Sequence, residues 1–100
     1  MAGQGLEYIE VADPMRQEPS FFEGHEPSLL YIAKRLKDAE ALEALLTRSD
    51  IDYGVEADEY EGGVVFRRNR VGAFFYVLAE HREAAAKILL DNGYAPSRVE

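Results

Sequence analysis

The chain has no cysteine, which excludes disulfides, thiolate nucleophiles and cysteine metal sites and fits a reducing compartment. Histidine is nearly as scarce. His25 lies beside Glu23 and Glu26, and His81 beside Glu80 and Glu83. Zinc needs three or four ligands held at about 2 Å, and neither cluster offers two imidazoles at helical or turn spacing. No metal site is expected, and both clusters read as surface. No serine, histidine and aspartate set has a motif context, and no glycine-rich phosphate loop occurs. No catalytic residue or cofactor is therefore assigned, and the chain reads as a non-enzyme. Basic residues are also in short supply: eleven against nineteen acidic ones leave a net charge of -8. Such a field repels nucleic acid backbones and anionic membranes. No window approaches the roughly 20 apolar residues that span a bilayer. Residues 1–5 lack the basic start and apolar run of a signal peptide, so a soluble, cytoplasmic protein is expected.

What is present is one domain's worth of chain, 100 residues with 47% hydrophobic, enough for a single modest core. Its organising feature is a pattern that occurs twice between residues 38 and 93. Glu40-Ala41, Leu45-Leu46 and Asp50-Ile51 match Glu83-Ala84, Ile88-Leu89 and Gly93-Tyr94. Each copy is a short amphipathic helix opened by charges and closed into a hydrophobic strand or turn.

The elements follow in order. Residues 6–11 alternate apolar and charged positions as a short strand, ended by Asp13-Pro14. Pro14, Pro19 and Pro27 then remove backbone donors and fix φ, so the segment to residue 27 reads as loop. Residues 28–36 suit either a strand or the start of one long helix to Thr47, and the repeat decides for a strand. Asp38 is read as the N-cap of a helix to about Arg48, with Ala39, Leu42, Leu45 and Leu46 on its buried stripe. Ser49-Asp50 breaks it, and Ile51 folds back ahead of a strand over residues 53–60. Glu61-Gly62-Gly63 reads as a hairpin turn. Val64-Val65-Phe66 starts the next strand, interrupted at residues 67–70 by a second turn or bulge around Asn69. Residues 71–78 form the most hydrophobic strand, with Phe74, Tyr76 and Leu78 on one face and Phe75 and Val77 on the other. A second helix begins near Glu80, buries Ala84, Ala85, Ile88 and Leu89, and stops at Gly93. Tyr94 packs back on its last turn, and the tail after Pro96 adds an edge strand through Val99 or frays.

Read together, a strand, Asp38-Ala39-Glu40-Ala41, Leu45-Leu46, Ile51-Asp52-Tyr53, a strand ending Tyr76-Val77-Leu78 and a helix from Glu80 resemble the small bacterial putative signal-transducing domains with a PII-like, ferredoxin-like fold. The resemblance covers about residues 29–94. It implies an α+β, βαββαβ plan, an antiparallel sheet with two helices on one face, and a regulatory or signal-transduction role of undefined biochemistry. It carries over no catalytic or ligand residues. Residues 1–27 lie outside the pattern as an N-terminal extension to a domain of residues 28–100.

Two clusters are candidate sites. Arg67, Arg68 and Arg70 gather three of the eleven basic residues. On a turn their forks could clamp a small phosphate- or carboxylate-bearing ligand. The favoured reading pairs them instead with Glu56, Asp58 and Glu59 across the sheet. Phe21-Phe22, adjacent aromatics in a proline-flanked loop, cover one end of the core or offer an apolar patch to a partner. The run from Arg70 to Val77 faintly echoes the aromatic strand of RNA-recognition domains, but aromatics on so apolar a strand suit a core better. The resulting expectation is a regulatory or protein-interaction module, a homodimer through a sheet face. The alternative is a small-molecule or anion sensor using the arginine cluster.

Overall fold

The computed structural model describes residues 15–62 and 68–97, with backbone only at residues 60–62, 68 and 69. It is an α+β fold: a three-stranded antiparallel sheet in the order β1-β3-β2, with two helices on one face. Strand β1 is Pro27–Ala33, α1 is Leu36–Arg48, β2 is Gly54–Gly62, β3 is Arg68–Leu78 and α2 is Arg82–Asp91. The expected strand at residues 6–11 lies outside the described residues, as do Val64-Val65-Phe66, Arg67 and Val99.

Residues 28–36 are thus a strand and then a helix start, not one long helix. Strand β1 runs antiparallel to β3 from Pro27 opposite Leu78 to Ala33 opposite Ala73, with a bulge between Leu29 and Tyr31. The bulge sets Leu30 into the core, fully buried, because an extra residue shifts the alternation of faces.

Asp38 is not the N-cap. The Ala39 N–H already bonds the Arg35 carbonyl at 3.0 Å, so Arg35 is the cap, and it makes no side-chain capping bond. Leu36 and Lys37 are good helix formers that lose little rotamer freedom, and the helix takes them in. Asp38 falls in the first turn, where its charge still complements the dipole, and faces Arg35 at 3.8 Å. Ala39, Leu42, Leu45 and Leu46 form the buried stripe as read, joined by Glu43.

The second correction concerns the hairpin. Strand β2 pairs with β3 in unbroken register from Gly54 opposite Tyr76 to Gly62 opposite Arg68. Glu61 and Gly62 are therefore strand, not turn, and Arg68, Asn69 and Arg70 neither turn nor bulge. Polar residues are accommodated there because strand pairing is made by backbone N–H and C=O groups that every residue but proline carries in full. Helix α2 follows a single 3₁₀ turn over Ala79–His81. It buries Ala85 and Leu89, with Ile88 partly buried, while Ala84 is exposed.

The core lies between the sheet and the helices: Leu30, Phe75, Val77 and Tyr53 against Leu42, Leu46, Ala85 and Leu89, all fully buried. Tyr53 stacks on Phe75 with ring centroids 5.8 Å apart. Alternation then places Leu29, Ile32, Phe74 and Tyr76 on the opposite face, where they are partly buried.

Candidate functional site

The segment before β1 is tied into the fold. The Tyr53 N–H bonds the Met15 carbonyl at 3.0 Å and the Gln17 N–H bonds the Tyr53 carbonyl at 2.8 Å, a parallel bridge that extends the β2 side of the sheet. Register then points Arg16 inward. Its Nη2 donates to both carboxylate oxygens of Glu43 at 3.1 Å, and the Tyr53 hydroxyl donates to Glu43 Oε1 at 2.9 Å. Among the described residues Glu43 is the one buried charged side chain. A carboxylate taken out of water needs such partners, since an uncompensated charge there costs several kcal/mol. Burial pushes the Arg16 guanidinium down, but the Glu43 charge and the hydrogen bonds to Glu43 and Tyr53 outweigh it, and the net shift is upward. Glu43 is satisfied by these partners, and the group serves as an anchor for the segment.

That anchor positions Phe22. A 3₁₀ turn over Pro19–Phe22 lays the Phe22 ring on Gly54, so close that a Cβ at Gly54 would stand 2.8 Å from Phe22 Cε2. Glycine is required at this point for that reason. Phe21 meets Phe22 edge to face at 5.1 Å and His25 stacks on Phe21 at 6.4 Å. Phe22 is not among the residues of the helix-side core or those packed on it; it lies instead against the Gly54 end of the second sheet face. Between Phe22 and Tyr76 a cleft of about 360 Å³ remains, lined by Gln17, Pro19, Phe22, Pro27, Gly54, Val55, Glu56 and Tyr76. Glu56 is exposed, and Gln17 is held by its Nε2, which donates a hydrogen bond to Asp52 Oδ1 at 2.8 Å. The Tyr76 hydroxyl titrates above its ordinary value, first through burial and then through the charges of Glu56 and Asp58.

The arginine cluster is spread along β3 rather than folded on a turn. Arg67 lies outside the described residues, Arg68 stands opposite Gly62, and Arg70 opposite Tyr60. Arg70 is exposed, and among the described residues it makes no ion pair with Glu56, Asp58 or Glu59. Asp58 stands opposite Gly72, diagonal to Arg70, a separation that long side chains can bridge but do not bridge here. His81 meets Glu80 at 3.6 Å, and among the described residues no three histidine, aspartate or glutamate side chains gather as a metal site. No helix among them is long and apolar enough to cross a membrane.

Two anchors escaped the sequence reading. Glu43 carried a signal, for it falls four residues after Ala39 and three before Leu46, on the apolar stripe itself. Arg82 carried none. Its Nε donates to the Leu29 carbonyl at 3.2 Å and its Nη2 to the Ser97 carbonyl, tying α2 and the tail to β1.

The architecture defines a small α+β domain in which, among the described residues, both helices pack on one sheet face and Phe22 lies against the other. Comparison with family models, characterised proteins and solved structures finds no match.

Proposed function

We propose that this chain is a non-catalytic regulatory or protein-interaction module of ferredoxin-like plan that self-associates through its second sheet face. The plan is supported by the order β1-β3-β2, which leaves the free edge of β1 for a fourth strand. It is supported too by the Ser97 N–H, which bonds the Leu30 carbonyl on that edge at 2.8 Å. The observation that carries self-association is the strip of Leu29, Ile32 and Phe74, opposite the face on which both helices pack. Among the described residues, Phe22 covers the Gly54 end of that face. A stable dimer buries roughly 800 Å² per partner, and this strip would form the apolar centre of such an interface. Sedimentation equilibrium is expected to give a dimer for the wild type and a monomer for Phe74→Glu, a partly exposed position where a charge leaves the core intact. A wild-type monomer at every accessible concentration would end this reading.

A second reading, a sensor of small anions, is favoured by Arg70, exposed and without an ion pair among the described residues. Its test is thermal: sulfate should raise the melting temperature by mass action, and Arg70→Glu should remove the rise. An unchanged wild-type melting curve in sulfate retires it.

A further inference from the structure

We infer that the cleft between Phe22 and Tyr76 is a binding site for a small organic cation, an ammonium group carrying a short apolar body. The site adjoins the self-association strip on the same sheet face, Glu56 standing opposite Phe74 and Tyr76 opposite Leu29. Its walls are largely apolar and aromatic: Phe22, whose ring lies on Gly54, and Tyr76 both line it, with Pro19, Pro27 and Val55 completing the cavity. A volume of about 360 Å³ suits a compact metabolite, at the small end of the few hundred Å³ that ligand pockets occupy.

Charge decides the ligand class. Glu56 is the one ionisable group of either sign among the lining residues other than the Tyr76 phenol, and no lysine, arginine or histidine lines the cavity. Glu56 follows Gly54 by two positions and so stands on the same side of β2 as the cavity floor. It is exposed and has no hydrogen bond or ion pair among the described residues, so its carboxylate is available to a ligand. Asp52 sits behind Gln17, and Asp58 lies two positions beyond Glu56. An anion would meet this field with no cationic group to receive it. A cation gains both the carboxylate and the negative faces of two aromatic rings, an attraction that strengthens as the ammonium is desolvated. A neutral apolar ligand would gain the walls but not the charge, and that difference is measurable. The walls are preformed: Phe22 is fixed by its contact with Gly54 and by the edge-to-face contact with Phe21 at 5.1 Å, so little ordering is required on binding.

The test is titration of the ¹⁵N-labelled full chain with choline, and in parallel with 3,3-dimethylbutan-1-ol, which has the same shape with carbon in place of the charged nitrogen. Choline is expected to shift the Gly54, Val55 and Tyr76 amides saturably, and the neutral alcohol to bind at least about fivefold more weakly. Glu56→Gln, a surface change that leaves the fold intact, should weaken choline severalfold and leave the alcohol unaffected. Phe22→Ala should weaken both. Absence of saturable shifts at these amides with choline in the tens of millimolar, or equal affinity for choline and the alcohol, overturns the assignment. A monomeric wild type, which would sink self-association, leaves this result untouched, because the Gly54, Val55 and Tyr76 amide shifts read the cleft of each chain directly.

Discussion

Helices α1 and α2 end alike and are held differently. After α1 the Asp50 N–H bonds the Thr47 carbonyl and the Ile51 N–H bonds the Leu46 carbonyl; after α2 the Gly93 N–H bonds the Leu90 carbonyl and the Tyr94 N–H the Leu89 carbonyl. Each is a Schellman closure, with its left-handed residue at Asp50 (φ 58°) or Gly93 (φ 88°). The residue after it, Ile51 or Tyr94, folds back toward the sheet. Away from these ends the two halves diverge. Helix α1 buries five residues, Ala39, Leu42, Glu43, Leu45 and Leu46, whereas α2 buries only Ala85 and Leu89. Each half also uses an arginine to hold a flanking segment. Arg16 brings the N-terminal segment to the buried carboxylate of α1, while Arg82 reaches from α2 to backbone carbonyls of β1 and the tail. Local backbone closure is thus common to both halves, and the long-range fastening is particular to each.

The largest test of the shared part is truncation of the matched leucines. Leu46 and Leu89 are both fully buried and accept the closing bond of their helices through their carbonyls. Leu46→Ala and Leu89→Ala should each destabilise by about 2 to 5 kcal/mol, the range for a cavity in a packed core. Because α1 carries more buried surface around its leucine, the cavity at Leu46 should collapse less and cost the more of the two. Chemical denaturation checks this, and a larger loss at Leu89 would reverse the ranking of the halves.

The next test sharpens the difference. Glu43→Leu leaves the Arg16 charge mostly buried without its carboxylate, and should cost about 3 kcal/mol. Combined with Arg16→Met, the double variant should recover much of that loss, since a well-packed apolar pair can replace a buried ion pair. Urea midpoints for the two single variants and the double variant form the thermodynamic cycle. Losses that simply add would show that the two side chains do not act together.

The duplicated helix was legible in the sequence because its signals are local: the leucine spacing, the Asp50-Ile51 and Gly93-Tyr94 junctions, and the apolar run of β3. The hairpin end was not. Gly62-Gly63 and Asn69 carry strong turn chemistry, but strand pairing is a non-local interaction, and it carries β2 through Gly62 and β3 back to Arg68. Asp38 misled in the same way, since capping chemistry at one residue yielded to helix formers before it. The cleft was only half legible. Phe21-Phe22 was singled out, but that Phe22 would land on Gly54, beside Tyr76 and Glu56, depends on the Arg16, Glu43 and Tyr53 anchor, three residues distant in sequence and unremarkable one by one.

The smallest expected effect separates the two helix ends. Gly93 has φ 88°, and a Cβ placed there would meet nothing within 4 Å, so Gly93→Ala is opposed by backbone conformation alone. It should cost about 1 to 2 kcal/mol, the penalty for an L-residue in the left-handed region. Asp50 already carries that penalty, moderated because a short polar side chain tolerates the conformation. Its carboxylate also stands at the negative end of the α1 dipole, an unfavourable placement by some tenths of a kcal/mol. Asp50→Gly removes both terms but adds chain entropy to the unfolded state, so its net effect should be a gain of less than about 1 kcal/mol. Asp50→Asn keeps the backbone tolerance and removes only the charge, and should recover the electrostatic part alone. Thermal melts of the three variants at low and high salt decide the matter: the Asn gain should fade with salt, whereas the Gly93→Ala loss should not. A loss on Asp50→Gly would mean that the carboxylate, rather than the backbone, holds the end of α1.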